Sequence, residues 1–196
     1  MALSALFPHP DYAEDQPLSH TILTTHVLHR GLQVGAIIGL PIFLVQQRKV
    51  FFNRSSLPTT SRAVLTPTLA RTVGRSGIIG AAFVGFSLLG KAYNEGWEEI
   101  SWKDRSWRLL ENKGQTKIDD WSVGGMILAG TAAVTARTLR RPQMLRGLGV
   151  QGAAGVLALG SLAGMVGMAI SGPLRERKSV KAGGREMMRN VTNVEV

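Results

Sequence analysis

The sequence predicts an all-α fold: a membrane-embedded bundle of four transmembrane helices held together by Gly/Ala-rich packing ridges. Three observations predict it. Long uncharged runs alternate with charged connections, the whole net charge of +10 sits in two of those connections, and small residues recur at four-residue spacing in each uncharged run.

The runs come in order. Residues 31–47 lie between Arg30 and Arg48, residues 76–90 between Arg75 and Lys91, residues 121–136 between Asp120 and Arg137, and residues 147–174 between Arg146 and Arg175. A spanning helix needs about 20 mostly apolar residues. The fourth run is long enough alone, and the first becomes so by recruiting residues 21–30. The second and third borrow flanking turns, whose Arg and Lys stems snorkel to the headgroups. The expected spans are near 22–47, 70–93, 119–138 and 146–172. They form one transmembrane domain over 21–175, with an N-terminal segment 1–20 and a C-terminal tail 176–196. The charge of that tail predicts mobility unless a partner binds it. Pro41 predicts a kink near residues 37–41. The competing reading is a soluble bundle with four buried helices. The glycine content, the missing polar stripe and the alternation of charge argue against it.

The charge arithmetic gives the topology. Residues 48–75 hold Arg48, Lys49, Arg54, Arg62, Arg71 and Arg75 and no acid. Residues 137–146 hold Arg137, Arg140, Arg141 and Arg146 and no acid. The remaining segments balance at thirteen basic against thirteen acidic residues. Four spans put both basic connections on one side, which is the cytoplasm or, in a mitochondrion, the matrix. Both termini then lie on the other side. The opening residues MALSALFPHPDYAEDQP have neither the basic start of a signal peptide nor the arginines of a transit peptide, so import through internal signals is expected.

Lipid gives helices no hydrophobic reason to associate, so close backbone approach must hold them. Candidate packing ridges are Gly31, Gly35 and Gly39; Gly77, Ala81 and Gly85; Gly125, Ala129 and Ala133; and Gly160 with Gly164. Trp97, Trp102, Trp107 and Trp121 all fall in the stretch that leads into the third run. Trp favours both the headgroup level and protein contact surfaces, and both placements stay open.

Few residues suggest chemistry. The chain has no Cys, hence no disulfide, thiolate site or cysteine nucleophile. Nucleic-acid binding is not expected, because such proteins spread Lys and Arg over one face. Gly147, Gly149 and Gly152 match a dinucleotide-binding pattern by letter, but they lack the preceding strand and the later acid. His20, His26 and His29 have no evident fourth ligand and read as polar interface positions. Asn53 and Asn190 match the glycosylation pattern by chance, since no secretory signal precedes them. Apart from histidines in the first span, the uncharged runs hold no ionisable group, whereas pumps and proton relays need them. The expectation is a non-catalytic structural or interaction protein without cofactor or metal. Arg48, Lys49, Arg140, Arg141 and Arg146 are candidate contacts for an anionic phospholipid such as cardiolipin, unless their charge only sets topology.

The third run opens with Lys117, Ile118, Asp119, Asp120 and Trp121, followed by Gly124, Gly125, Ala129 and Gly130. A basic residue, an Asp and then spaced small residues resemble the signature of the mitochondrial inner-membrane protein-import translocase family. Lys117, Asp119, Asp120 and Trp121 are the residues that match. A divergent branch of that family serves as accessory subunits of respiratory complex I (NADH–ubiquinone oxidoreductase), and this chain resembles its fungal members over about residues 20–175. The resemblance implies a multi-pass protein of the mitochondrial inner membrane with both termini in the intermembrane space. It implies complex I membrane-arm subunits, membrane lipids and complex III as partners, and no redox centre of its own. The alternative it carries is a subunit of an import translocase.

Overall fold

The computed structural model describes residues 7–48, 59–138 and 149–192, with side chains placed over 7–48, 67–136 and 149–171. It is all-helical. A 3-10 turn at Ala13–Asp15 precedes α1 (Ser19–Gln46), α2 (Thr59–Asn94), α3 (Glu99–Glu111), α4 (Lys113–Thr138) and α5 (Gly149–Thr192). Three stretches are long and apolar enough to cross a membrane: Ser19–Gln46, Pro67–Asn94 and Gly149–Ser171. α4, the third of the four expected spans, forms as a helix. Its first two turns carry Lys113, Lys117, Asp119 and Asp120, and Gly, Ser and Thr dilute its uncharged run 121–136, so it falls short of the hydropathy of the other three.

α1 runs on through Pro41 to Gln46. The residues after Arg175, set apart from the transmembrane domain in the sequence reading, are helical and continue α5 to Thr192. Beyond Pro173 this stretch is rich in Arg, Lys, Glu and Met, all good helix formers.

α1 and α2 run antiparallel, as do α4 and α5, and α5 lies between α2 and α4. The ends of α1 and α4 and the starts of α2 and α5 therefore share one end of the bundle. The opposite end carries the start of α1, the end of α2, α3 and the start of α4. Arg48 is exposed just past α1, whereas Lys49, Arg140, Arg141 and Arg146 lie outside the described residues. The buried core, Ala36, Val73 and Ala158, sits where α1, α2 and α5 meet, wrapped by Leu32, Leu40, Leu69, Leu159 and Leu162. Ile37, Leu44, Phe83, Phe86, Leu128 and Ile170 face outward, an apolar exterior suited to lipid.

The helices approach at backbone distance. A Cβ on Gly35 would strike the Ser76 carbonyl oxygen, and one on Gly31 would lie 2.7 Å from the Ala81 Cα. Gly39 faces Val73 and Ser76, Gly77 faces Leu32, and Gly85 meets only the Leu28 side chain. Between α4 and α5, Gly125 faces the backbone of Gly160 and Gly164, and Ala129 packs its methyl toward Gly160. Ala133 is half-buried further along α4. The α2–α5 contact uses glycines outside the expected ridges: Gly74 meets the carbonyl oxygen of Gln151, and Gly155 that of Ala70.

Overpacking a close contact costs typically about 1–3 kcal/mol. Gly35→Leu should therefore lower the thermal unfolding midpoint of the detergent-solubilised chain clearly. Gly90→Leu, whose Cβ meets nothing within 4 Å, should not. Equal midpoints for the two variants would remove the close-approach account.

Candidate functional site

α1 and α4 meet through long side chains rather than backbone, and those side chains form the main polar cluster inside the bundle. His26, His29, Arg30 and Gln33 share one face of α1, because residues three and four apart are helix neighbours. Gln115, Asp119 and Ser122 do the same on α4, and Ser161 completes the cluster from α5.

Asp119 is its centre, with a side chain only 7 % exposed. Its Oδ1 accepts from Arg30 Nη2 at 2.6 Å and its Oδ2 from His26 Nδ1 at 2.9 Å. Arg30 Nη1 donates to Gln33 Oε1 at 2.7 Å, which orients the Gln33 amide. Gln33 Nε2 then donates to His29 Nε2 and to Ser161 Oγ, both at 2.8 Å. This makes His29 Nε2 an acceptor and places the proton of a neutral ring on Nδ1. Ser122 Oγ lies 2.7 Å from the same His29 nitrogen. With its amide oxygen toward Arg30, Gln115 accepts from Nε at 3.1 Å and Nη2 at 2.7 Å. Gln33, Ser122 and Ser161 are fully enclosed. A cavity of about 70 Å³ beside His26, His29 and Asp119 has room for a water molecule.

These contacts correct the expectation that only histidines bring ionisable groups inside the bundle. Arg30 and Asp119 stand at the edges of their uncharged runs, yet they turn inward because each finds its counter-charge there. The acid missing beside His26 in sequence is supplied by another helix. Ser122 and Ser161 gave no signal in the sequence. Gln33 gave one: it is a polar residue in an apolar run, one turn beyond His29 and Arg30.

Of the four matched motif residues, Asp119 alone joins this cluster. Lys117, Asp120 and Trp121 line an open groove of about 750 Å³ between α4 and α5, floored by Gly125, Gly160 and Gly164. Among the described residues, no three His, Asp or Glu side chains converge as a metal site. Among the described residues, the one buried side-chain polar atom without a partner is Gln16 Oε1.

A second cluster caps the same end. α3 lies against the N-terminal segment and the start of α1. Trp107 Nε1 donates to the Pro10 carbonyl at 2.9 Å, Lys103 Nζ to that of Glu14 at 2.9 Å, and His9 Nε2 meets Glu111 at 2.9 Å. The His20 ring lies 4.4 Å from that of Trp102, which meets Trp97 edge-on at 5.2 Å. The Arg105 guanidinium covers Trp97 at 3.8 Å. Trp97, Trp102 and Trp107 are thus engaged within the chain, and Trp121 is part-exposed in the groove. Two exposed carboxylates hold the cap. The Trp97 indole N–H, bonded to Glu95 at 2.6 Å, keeps that carboxyl below its ordinary value, helped by Lys91 and Arg105. The bond from His20, at 2.8 Å, does the same for Glu99, helped by its charge and by Ser19.

Comparison of the chain with family models, with curated proteins and with solved structures found no match.

Removing one partner of a buried ion pair costs about 3–5 kcal/mol. Asp119→Ala, which strands Arg30 and His26, should lower stability to denaturant by that order. Asp119→Leu combined with Arg30→Met should recover most of the loss. A single-variant cost near the ~0.5 kcal/mol of an exposed pair would show that the cluster is solvated.

The cap should be acid-sensitive. A carboxylate held below its ordinary pKa contributes stability that is present above that value and lost as pH falls through the lowered one. Tryptophan emission should therefore hold steady down to about pH 5. It should shift as pH drops below the ordinary carboxylate value of 4.5. A transition centred well above the ordinary carboxylate value would overturn the assignment of the cap to Glu95 and Glu99.

Proposed function

We propose that this chain is a non-catalytic accessory subunit of mitochondrial respiratory complex I, which stabilises the membrane arm and its contacts with neighbouring subunits, complex III among them. The supporting observation is how the chain uses its buried polar groups. Arg30, Asp119, His26, His29, Gln33, Ser122 and Ser161 are spent on one another, holding three helices together. That suits a rigid staple whose apolar exterior meets lipid and neighbouring helices. The Lys117–Trp121 resemblance supplies the choice of complex.

In this reading α4 is a fourth, shorter span, its length completed by the snorkelling side chain of Lys117. The membrane is the mitochondrial inner membrane, and both termini face the intermembrane space. The basic segments flanking residues 49–58 and 139–148 then face the matrix, as the positive-inside rule requires. No redox centre or cofactor belongs to the chain itself.

The second reading, a subunit of an import translocase, draws on the groove between α4 and α5. A translocase needs a path along which a polar segment can lie. This groove is floored by Gly and Ala, with Lys117 and Asp120 at one end only, which favours the first reading.

The test is a native gel of mildly solubilised mitochondrial membranes, probed for this chain and stained for NADH dehydrogenase activity. Co-migration with the activity band, persisting in stronger detergent, is the expected result. Migration in a smaller complex without that activity would overturn it in favour of the translocase.

A further inference from the structure

α2 carries an arginine on the outside of the bundle at mid-depth. Gly35 of α1 faces Ser76 and Gly77, and Gly39 faces Val73 and Ser76, so Arg75 stands level with the turn of α1 between Gly35 and Gly39. From that turn to the end of α1 at Gln46 is about nine residues, or about 14 Å at 1.5 Å per residue. A hydrocarbon layer is about 30 Å thick, which puts Arg75 close to its middle. The buried core of Ala36, Val73 and Ala158 lies at the same level. In the sequence Arg75 stands at the edge of the uncharged run 76–90 and reads as part of a basic connection. The glycine contacts lay the uncharged run of α1 beside the stretch of α2 that holds Arg75, and so carry this residue into the apolar layer.

Arg75 also points away from the other helices. Gly74, Gly77 and Gly80 lie on the side of α2 that meets α1 and α5. At about 100° per residue, Arg75, Ile78, Phe86 and Leu89 fall together on the opposite side, and all four are exposed. Arg71, one turn nearer the end of the bundle, is engaged within the chain. Arg75 is not: none of the ion pairs or hydrogen bonds among the described residues includes it. A charged side chain in hydrocarbon is costly, and such residues are found paired or beside water. Snorkelling does not relieve Arg75, because the nearer end of α1 is farther away than an extended Arg side chain reaches.

We propose that the outer face of α2 docks a transmembrane helix of another subunit that carries an Asp or Glu near mid-membrane, its carboxylate paired with Arg75 and its apolar side chains laid along Ile78, Phe86 and Leu89. A carboxylate suits the guanidinium fork, which it can accept from with both oxygens. Depth argues against a lipid phosphate, which lies beyond the edge of the hydrocarbon, about 15 Å from the middle. A second copy of this chain has no acid to offer there. α1, α2 and the apolar part of α5 hold none. In α4, Asp119 is enclosed and paired, and Asp120 is engaged within the chain. The pairing requires that the chain span a membrane, as proposed above, and holds whichever complex it joins.

The experiment is resonance energy transfer between the full chain and a synthetic helix in phosphatidylcholine vesicles. The probe is a Leu/Ala peptide of about 20 residues with one Glu at its centre. It should bind about tenfold more tightly, or by 1.4 kcal/mol, than the same peptide with Gln. Moving the Glu two turns along the peptide should abolish the gain. Arg75→Lys should keep the preference for Glu, Arg75→Leu should erase it, and Arg75→Glu should transfer it to a peptide with a central Lys. Arg75 makes no contact that holds the fold, so the thermal midpoint of Arg75→Leu in detergent should match wild type, which separates lost docking from lost folding. In native membranes Arg75→Leu should release the chain from its complex. Equal binding of the Glu and Gln peptides by the wild type, or a preference that survives Arg75→Leu, would overturn the proposal. So would an Arg75→Leu chain that stays in its complex; loss of bound phospholipid at the same time would assign Arg75 to a headgroup phosphate. Release by Arg75→Leu from a complex without NADH dehydrogenase activity would overturn the complex I reading and keep the docking face.

Discussion

The backbone of α5 touches two other helix backbones, and the arrangement of the bundle depends on those contacts. At Gly155 it meets the Ala70 carbonyl of α2, and at Gly160 it meets Gly125 of α4. In apolar surroundings no hydrophobic force draws helices together. What remains is dispersion, which is worth little per atom pair and fades within an ångström of extra gap. A methyl group at either position would open such a gap along the whole contact. The glycines therefore determine how near α2 and α4 come to α5, and through α2 they determine where α1 can sit.

Apolar packing joins α1, α2 and α5 at Ala36, Val73 and Ala158 and sets α4 against α5. The polar cluster joins α1 to α4 across a distance that only long side chains span. The two devices differ in kind. Dispersion between small residues is permissive about partner and strict about distance. The Asp119 carboxylate, with an N–H donor on each oxygen, is strict about partner. Its low-dielectric setting strengthens the pairing and makes an unpaired member costly. The cap of α3 and the N-terminal segment then seals that end, with its bonds running between indole or ammonium donors and backbone carbonyls.

Much of this was legible in the sequence, and the parts that were not share a cause. Gly31, Gly35 and Gly39 repeat at helical spacing within one run, so their common face could be read directly. Gly74 and Gly155 each lie off that spacing, and only the crossing of α2 over α5 gives them a role. The histidines were recognisable as polar positions. Their acid was not, since 93 residues separate His26 from Asp119. A charge at the edge of an apolar run also reads the same whether it turns out to the headgroups or in to a partner. The span of α4 is ambiguous for a related reason: Asp119 shortens its apolar length while serving the interior. The tryptophans left two placements open, and three of them are taken up by contacts within the chain.

The separation of His26 and Arg30 from Asp119 also bears on how the protein is made. α1 emerges first, carrying a guanidinium and two imidazoles on one face. Their counter-charge belongs to a helix synthesised some 90 residues later. Until then α1 is a poor resident of hydrocarbon, held back by the cost of an unpaired cation. A chain that ended before α4 would leave Arg30 without the carboxylate it pairs with in the finished bundle, so the first helix reaches its settled state only when the fourth is present.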